Sequence, residues 1–443
     1  MIKKAVKLGY LDGLFVSILL LIFAGIILHT PITVWLGTVF PEQDLIIKAW
    51  KELLMTGALV IAALLVHRHH RWDIVKNPFI ALAGMYAAIH LLLLPFKFTG
   101  QLAAISGLMI DLRYVAFFVL VVIAVQLYPY LRTLFVKVFV VGAAIVCTFA
   151  VLQVFILPPD ILSWLGYSRD TISPYLTVDE NPDYVRINST LRGPNPLGAY
   201  AVIVLAVVAA YWLRVKTAVT RKQGVLIGLL AISAGVALWA SYSRSALVAA
   251  AIALGVIFFL TIGRKLNKTA WVTILIIVGA LAGGLIAARE TSFVSNVILH
   301  ENEGTGAAVS SNDGHVESLI DGLDRTLHQP LGAGIGSTGS ASLHTDQPLI
   351  IENQYLFIAH EAGWIGLAIF LVLFGKILWT AWLRRTDWLA LAVLASGLGL
   401  AAIGLLLPVW VDDTVSIIWW GLAALVIGGA YGGAIHKKAK RTA

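Results

Sequence analysis

The sequence predicts an all-α integral membrane protein of about twelve transmembrane helices, and three observations carry that prediction. Of 443 residues, 59% are hydrophobic and only 13% are charged, with a mean hydropathy of +0.88, which is more apolar material than a soluble core can bury. Apolar runs close to the ~20 residues that cross a bilayer recur from one end to the other. No long polar stretch separates them, so residues 1–443 read as a single polytopic membrane domain.

The expected spans are Leu14 to Leu28, Leu53 to Val66, Phe79 to Leu94, Ala103 to Leu127, Phe139 to Leu157 and Leu197 to Leu213. Six more run from Val225 to Ala240, Ala246 to Ile262, Trp271 to Ala288, Tyr355 to Leu378, Trp388 to Leu407 and Val415 to Ala434. Lys3, Lys4 and Lys7 precede the first run, but no small-residue cleavage site follows Leu28, so it reads as a span and not a cleaved signal.

The net charge of +8 sits in short basic clusters between apolar runs, without the aromatic-interleaved stripe of a nucleic-acid interface. The clusters alternate along the chain. Arg68, Arg71 and Lys76, then Arg132 and Lys137, then Arg214, Lys216, Arg221 and Lys222, fall in every second connection. Arg264, Lys265 and Lys268, then Arg384 and Arg385, then Lys437, Lys438, Lys440 and Arg441, continue the series. Most Asp and Glu residues fall on the opposite side, and the positive-inside rule then gives an even number of spans with both termini cytoplasmic. Cys147 is the only cysteine and lies in an apolar run, which excludes an internal disulfide and a thiolate metal cluster.

Two connections on the expected outer side are long: Pro158 to Pro196, residues 158–196, and Arg289 to Ile351, residues 289–351. The second is irregular, with Gly332, Gly334 and Gly336 in its middle and one short helix expected from His315 to Leu327. Gly332 to Gly336 follows no strand, so a dinucleotide loop is excluded. No internal repeat is visible, and paired interrupted helices of the inverted-repeat transporter kind are not found.

Positive-inside topology depletes the outer side of basic residues, yet Arg186, Arg192, Arg244 and Arg289 lie on it. A guanidinium is a rigid fork of donors that stays protonated and fits two phosphate oxygens, as a lipid diphosphate presents. The plainer alternative is anchoring at lipid headgroups or salt bridges with Asp183, Glu290 or Asp324. Arg244 is the sharper case, because the run Ser241 to Ser245 is a very short turn at the membrane edge.

Glu352 and Asn353 stand where the long loop enters the tenth span. A carboxylate there suits a general base toward an acceptor hydroxyl, and equally both residues suit a helix N-cap. His360 with Glu361, and Asp111 with Arg113, are polar pairs inside spans, the latter expected to be a structural ion pair. Carboxylate pairs that metal-dependent transfer would want, Glu301 with Glu303 and Asp412 with Asp413, lack an adjacent histidine, so metal is not expected.

Three segments resemble the O-antigen ligase and polymerase superfamily, bacterial membrane enzymes with about twelve spans and a large late outer loop. Residues 186–198, RINSTLRGPNPLG, look like its arginine-led segment before a Pro-Asn pair. Ser243-Arg244-Ser245-Ala246 looks like its serine-arginine turn. His328 to Gly336, followed by Glu352-Asn353 and Gly363 to Gly366, is similar to the loop-to-helix region of ligases.

The resemblance implies a GT-C-like fold in the bacterial inner membrane and an inverting glycosyl transfer from an undecaprenyl diphosphate-linked glycan to a glycan, lipid or protein acceptor, with neither cofactor nor metal. It implies that Arg186 and Arg244, with Arg192 and Arg289, hold the diphosphate, that Glu352 is the base, and that Asn353 positions the acceptor. Asn195 of the Pro-Asn pair and His315 join the binding set. Glu352 stands where lipopolysaccharide ligases carry histidine, which favours a polymerase or a ligase with another acceptor such as a wall polymer or a protein; His315 stands where many members carry arginine. A lipid-linked glycan transporter is the reading from a different class.

Overall fold

The computed structural model describes residues 9–178, 181–215, 219–291, 294–295 and 311–442. Helices account for most of them. α1 (Tyr10–Gly25) passes through a 3-10 turn into α2 (His29–Val39), a continuous 30-residue apolar segment twice the length expected. The single turn α3 (Asp44–Lys48) leads into α4 (Trp50–Arg68), followed by α5 (Pro78–Leu93), α6 (Gln101–Leu127) and α7 (Leu131–Phe155). After the first long connection come α8 (Pro194–Val215), α9 (Arg221–Ala240), α10 (Arg244–Thr261) and α11 (Lys268–Ala287). α12 (Ser311–His328) is the short helix expected within the second long connection, and α13 (Gln354–Leu383), α14 (Trp388–Ile403) and α15 (Asp413–Thr442) complete the chain.

Every expected span coincides with one of these helices. Among the described residues, nine helices are long and apolar enough to cross a membrane, while Pro78–Leu93, Lys268–Ala280 and Trp388–Ile403 are shorter apolar helices. Local chemistry sets several starts. Asn77 caps α5 ahead of Pro78, Thr220 and Gln223 form a capping box on α9, and Asp387 caps α14.

Lipid removes most of the hydrophobic drive between helices, so close packing and interhelical hydrogen bonds must hold the bundle. α15 lies along α6, where Trp410, Trp419 and Trp420 are fully buried and meet Tyr114, Phe118 and Phe374 edge-on or tilted, with centroids 5.0 to 6.4 Å apart. α8, α10 and α14 approach through small residues: a Cβ on Gly399 would lie 2.7 Å from the Ala249 carbonyl oxygen.

The connections near residues 30–50, 95–100, 156–193, 241–243, 329–353 and 404–412 share one end of the bundle. Hydrogen bonds join them, including Asn353 to Leu405, Arg186 to Ser241 and Thr99 to Ile335. This loop-rich end is the one expected to face outward. The first long connection holds an element the sequence did not disclose, a two-stranded antiparallel sheet of β1 (Leu176–Val178) and β2 (Asn181–Arg186). Strands of three and six residues, with Pro182 and Asp183 inside the second, are too short and too interrupted to show a period-two pattern.

Candidate active site

β2 ends on Arg186, and the pairing of Arg186 with Leu176 fixes where its side chain starts. The Arg186 Nε donates to the Ser241 carbonyl at 2.9 Å and its Nη2 to Asn195 Oδ1 at 2.6 Å. These two acceptors are neutral oxygens, and they orient the guanidinium. One residue on, the Ile187 N–H donates to the Ala240 carbonyl at 3.2 Å, so the strand end is fastened to the end of α9. The turn to α10 is tight: Tyr242 has φ +46°, and the Ser243 N–H donates to Ser241 Oγ at 3.2 Å. Gly198 permits the approach of α8, because a Cβ there would lie 2.7 Å from Ala246 Cβ and 2.9 Å from Ser241 Oγ. Arg186, Asn195 and the turn bearing Arg244 are therefore brought together, and Arg244 is the first residue of α10.

Arg192 is exposed just before α8 and lies within electrostatic reach of Asp412. Burial, with Asp413 alongside, pushes the Asp412 carboxyl above the usual range against the opposing pull of the Val415 N–H, Arg113 and Arg192. Arg289 is exposed just beyond the end of α11. The backbone at His315 is helical, within α12; its side chain, like Glu301 and Glu303, lies outside the described residues.

Asn353 is the N-cap of α13. Its Oδ1 accepts from the Tyr355 and Leu356 N–H groups and its Nδ2 donates to the Leu405 carbonyl at 2.8 Å, so both ends of the amide bond to protein. Gln354 and Tyr355 extend this seam through Gly404, Trp410 and Ala401. Glu352 is half-buried beside α12, with its N–H donating to Ser318 Oγ at 3.2 Å.

The glycine-rich run does not form an open cradle. Gly332, Gly334, Ile335 and Gly336 are buried between α6, α13 and the connection at Lys97. An added Cβ would lie 2.7 Å from the Glu361 carbonyl oxygen at Gly332, 2.9 Å from Lys97 Cβ at Gly334 and 2.5 Å from the Ala103 carbonyl carbon at Gly336, and all three glycines have positive φ. α13 is broken opposite the run at Gly363, φ +69°. The Trp364 N–H donates to Pro330 O at 3.0 Å and the Ala333 N–H donates to His360 O at 2.6 Å, so two loop residues take the place of one helical bond. The Glu361 Oε1 accepts from the Thr338 N–H at 3.2 Å, and its carboxylate lies beside that of Asp111.

The expected ion pair of Asp111 with Arg113 does not form. Residues two apart on a helix face nearly opposite directions, so each finds another partner. Asp111 meets Glu361 and sits 3.5 Å from His90 Nε2. Arg113 reaches Asp413 Oδ1 at 2.6 Å and the Val411 carbonyl. Lys51 joins the same carboxylate at 3.0 Å, with Glu52 at 3.2 Å, and His29 lies 3.5 Å from Asp413 Oδ2. Sequence reasoning passed over Lys51, Glu52 and His29, although a Lys-Glu pair at the start of an apolar run was a visible signal.

No curated protein matches the chain. A family model described as O-antigen ligase matches residues 228–371, from α9 through α13. The matched segment contains Arg244, Arg289, His315, Glu352 and Asn353, while Arg186, Arg192 and Asn195 precede it. Over residues 228–371 the chain is thus similar to the O-antigen ligase family, and its described residues include helices long and apolar enough to cross a membrane.

Proposed function

We propose that the protein is a membrane glycosyltransferase that moves a glycan from an undecaprenyl diphosphate carrier to an acceptor hydroxyl at the outer face of the bacterial inner membrane. Twelve crossings in a GT-C-like arrangement, with both termini cytoplasmic, go with this reading. The observation that carries it is the meeting of the matched segment, at the turn bearing Arg244, with Arg186 and Asn195 from outside that segment. Hydrogen bonds to Ser241 and Asn195 that fix the direction of the Arg186 guanidinium preorganise it for an anionic substrate group.

In this reading Arg186 and Arg244, with Arg192 and Arg289, hold the diphosphate. The acceptor oxygen attacks the anomeric carbon and the bond to the diphosphate oxygen breaks, inverting the centre, while Glu352 takes the hydroxyl proton. Undecaprenyl diphosphate leaves with the bonding electrons, and no metal takes part. Asn353 acts at one remove, by fixing the start of α13 next to Glu352. Asn195 likewise acts through Arg186, and His315 lies on the helix beside Glu352.

The test is a reaction of purified protein with an undecaprenyl diphosphate oligosaccharide and a panel of acceptors in the presence of chelator, read by mass spectrometry. Released carrier and a new glycosidic product are expected. Arg186→Ala and Arg244→Ala should each lower the rate by about 10²–10³, the loss typical of a transition-state charge contact. Full activity in both variants, or in Glu352→Gln, refutes the assignment. A ladder retained on the carrier makes the enzyme a polymerase, and donor that moves across vesicles without a new bond makes the protein a transporter.

A further inference from the structure

Below its break at Gly363, α13 runs from Trp364 to Leu383, ~30 Å at 1.5 Å per residue, which is one hydrocarbon core. Trp364, Ile365, Leu371 and Val372 are exposed with the spacing of one helix side, so they mark where that crossing meets lipid. The residues before the break add no height. The Gln354 N–H donates to the Gly404 carbonyl at 2.8 Å, at the end of α14, and α14 rises only ~24 Å from the connection it shares with α13. Gln354 to Ala362 therefore run across the loop-rich end of the bundle, level with the end of the crossing.

α12 lies against this surface segment. Ser318 Oγ accepts from the Glu352 N–H at 3.2 Å, a Cβ on Gly322 would lie 3.3 Å from Ile351 Cγ2 and Leu356 Cδ1, and the Thr326 carbonyl accepts from Trp364 Nε1 at 2.9 Å. Ser318, Gly322 and Thr326, one helical turn apart, are its packed side. Beside them Leu319, Leu323 and Leu327, with Ile320, form a second stripe that is 43 to 64% exposed. Helical rotation sets this stripe on the Thr326 side, where Trp364 and Ile365 begin the lipid-facing side of α13. The third side is polar: Glu317, Asp324 and His328 are exposed, and Arg325 is engaged by Asp321 at 2.7 Å. An apolar stripe continuous with a lipid-facing one, with acidic residues turned away from it, is the layout of a helix resting in a bilayer surface. Without a surplus of Lys or Arg on its polar side to draw anionic headgroups, such a seat is held by apolar burial.

We propose that α12 is an interfacial helix, with Leu319, Ile320, Leu323 and Leu327 immersed in the lipid leaflet at the loop-rich end and its acidic side toward water. Glu352, bonded to Ser318, then stands at headgroup level. The inference does not rest on the glycosyl-transfer reading.

The test uses the full-length protein in phosphatidylcholine vesicles, in a Cys147→Ala background, with spin labels on single cysteines: Leu323→Cys and Leu327→Cys on the stripe, Glu317→Cys and His328→Cys on the polar side. All four positions are exposed, so the label displaces no packed side chain. Collision with oxygen, which concentrates in the bilayer, is compared with collision with a water-soluble nickel chelate. The oxygen-to-nickel ratio is expected to be severalfold higher at the two stripe positions than at the two polar ones, and unchanged when phosphatidylglycerol is added. Equal ratios at all four positions overturn the proposal and leave the stripe in water. Shielding of the stripe labels from both reagents overturns it in favour of a protein cover, a second copy if dilution with unlabelled protein restores collision. A ratio that rises only with phosphatidylglycerol overturns the apolar seat.

Discussion

Gly336→Ala tests whether the glycine-rich run is a packed wedge or a loose cover over the substrate. Gly336 has φ +81°, and an added methyl would lie 2.5 Å from the Ala103 carbonyl carbon and 3.2 Å from the Ala104 nitrogen, all backbone of α6. Backbone cannot turn aside as a flexible side chain can. The left-handed conformation costs a non-glycine residue about 1–2 kcal/mol, and forcing a methyl into a filled site costs about 1–3 kcal/mol more. The sum, about 2–5 kcal/mol, is a large part of the ~5–15 kcal/mol that separates folded from unfolded domains. Thermal unfolding in detergent, followed by size-exclusion chromatography, should show a marked loss of stability. Gly84→Ala is the control, since the same methyl in α5 meets nothing and helix propensity favours alanine by about 0.5–1 kcal/mol. If Gly336→Ala melts with the unaltered protein, the run yields on demand and the wedge is wrong.

Three further outcomes follow from the same geometry. Asn353→Ala removes the cap of α13 and the bond to Leu405, and should cost about 0.5–2 kcal/mol from the cap alone, measured by thermal unfolding. Asp413→Asn leaves Arg113 and Lys51 facing a neutral amide, a loss on the order of 3–5 kcal/mol; an unfolding midpoint equal to that of the unaltered protein would show that the pair is solvated. For Asp412 the folded carboxyl titrates above its unfolded value of about 4. Its ionised form is therefore disfavoured by folding, and stability is lost as pH rises from the unfolded value through the folded one. Asp412→Asn keeps an acceptor for the Val415 N–H, so it should melt higher than the unaltered protein at pH 7 and equally with it below pH ~4.

The helices were legible because apolar runs of span length have few alternative meanings in lipid. The boundary at α2 was less so, since apolar residues continue past the point where a single crossing would end. Arg186 and Arg244 stood out because a basic residue on the depleted side is already an anomaly, and Asn195 only through the Pro-Asn pair of the resembling segment. The glycine run was harder. Its composition reads as mobility, and only the positions of the Ala103, Lys97 and Glu361 backbones reveal it as close packing. The partners of Arg113 were out of reach for a different reason: Asp413 is 300 positions away, and a hydropathy pattern says which residues are buried without saying against what.

The break at Gly363 bears on how the chain is built. A helix that enters the bilayer with a gap in its hydrogen-bond ladder exposes an amide and a carbonyl at a cost of several kcal/mol for each unsatisfied group. Here the amide belongs to Trp364 and the carbonyl to His360, and their partners are supplied by Pro330 and Ala333, about thirty residues earlier and therefore already synthesised. α13 in its final shape cannot be a stable solitary segment during insertion. It would enter as an unbroken rod and bend only when the preceding loop docks, or enter already escorted by that loop. In either order, the two bonds that close the break require the loop at Pro330 and Ala333 to be docked against α13.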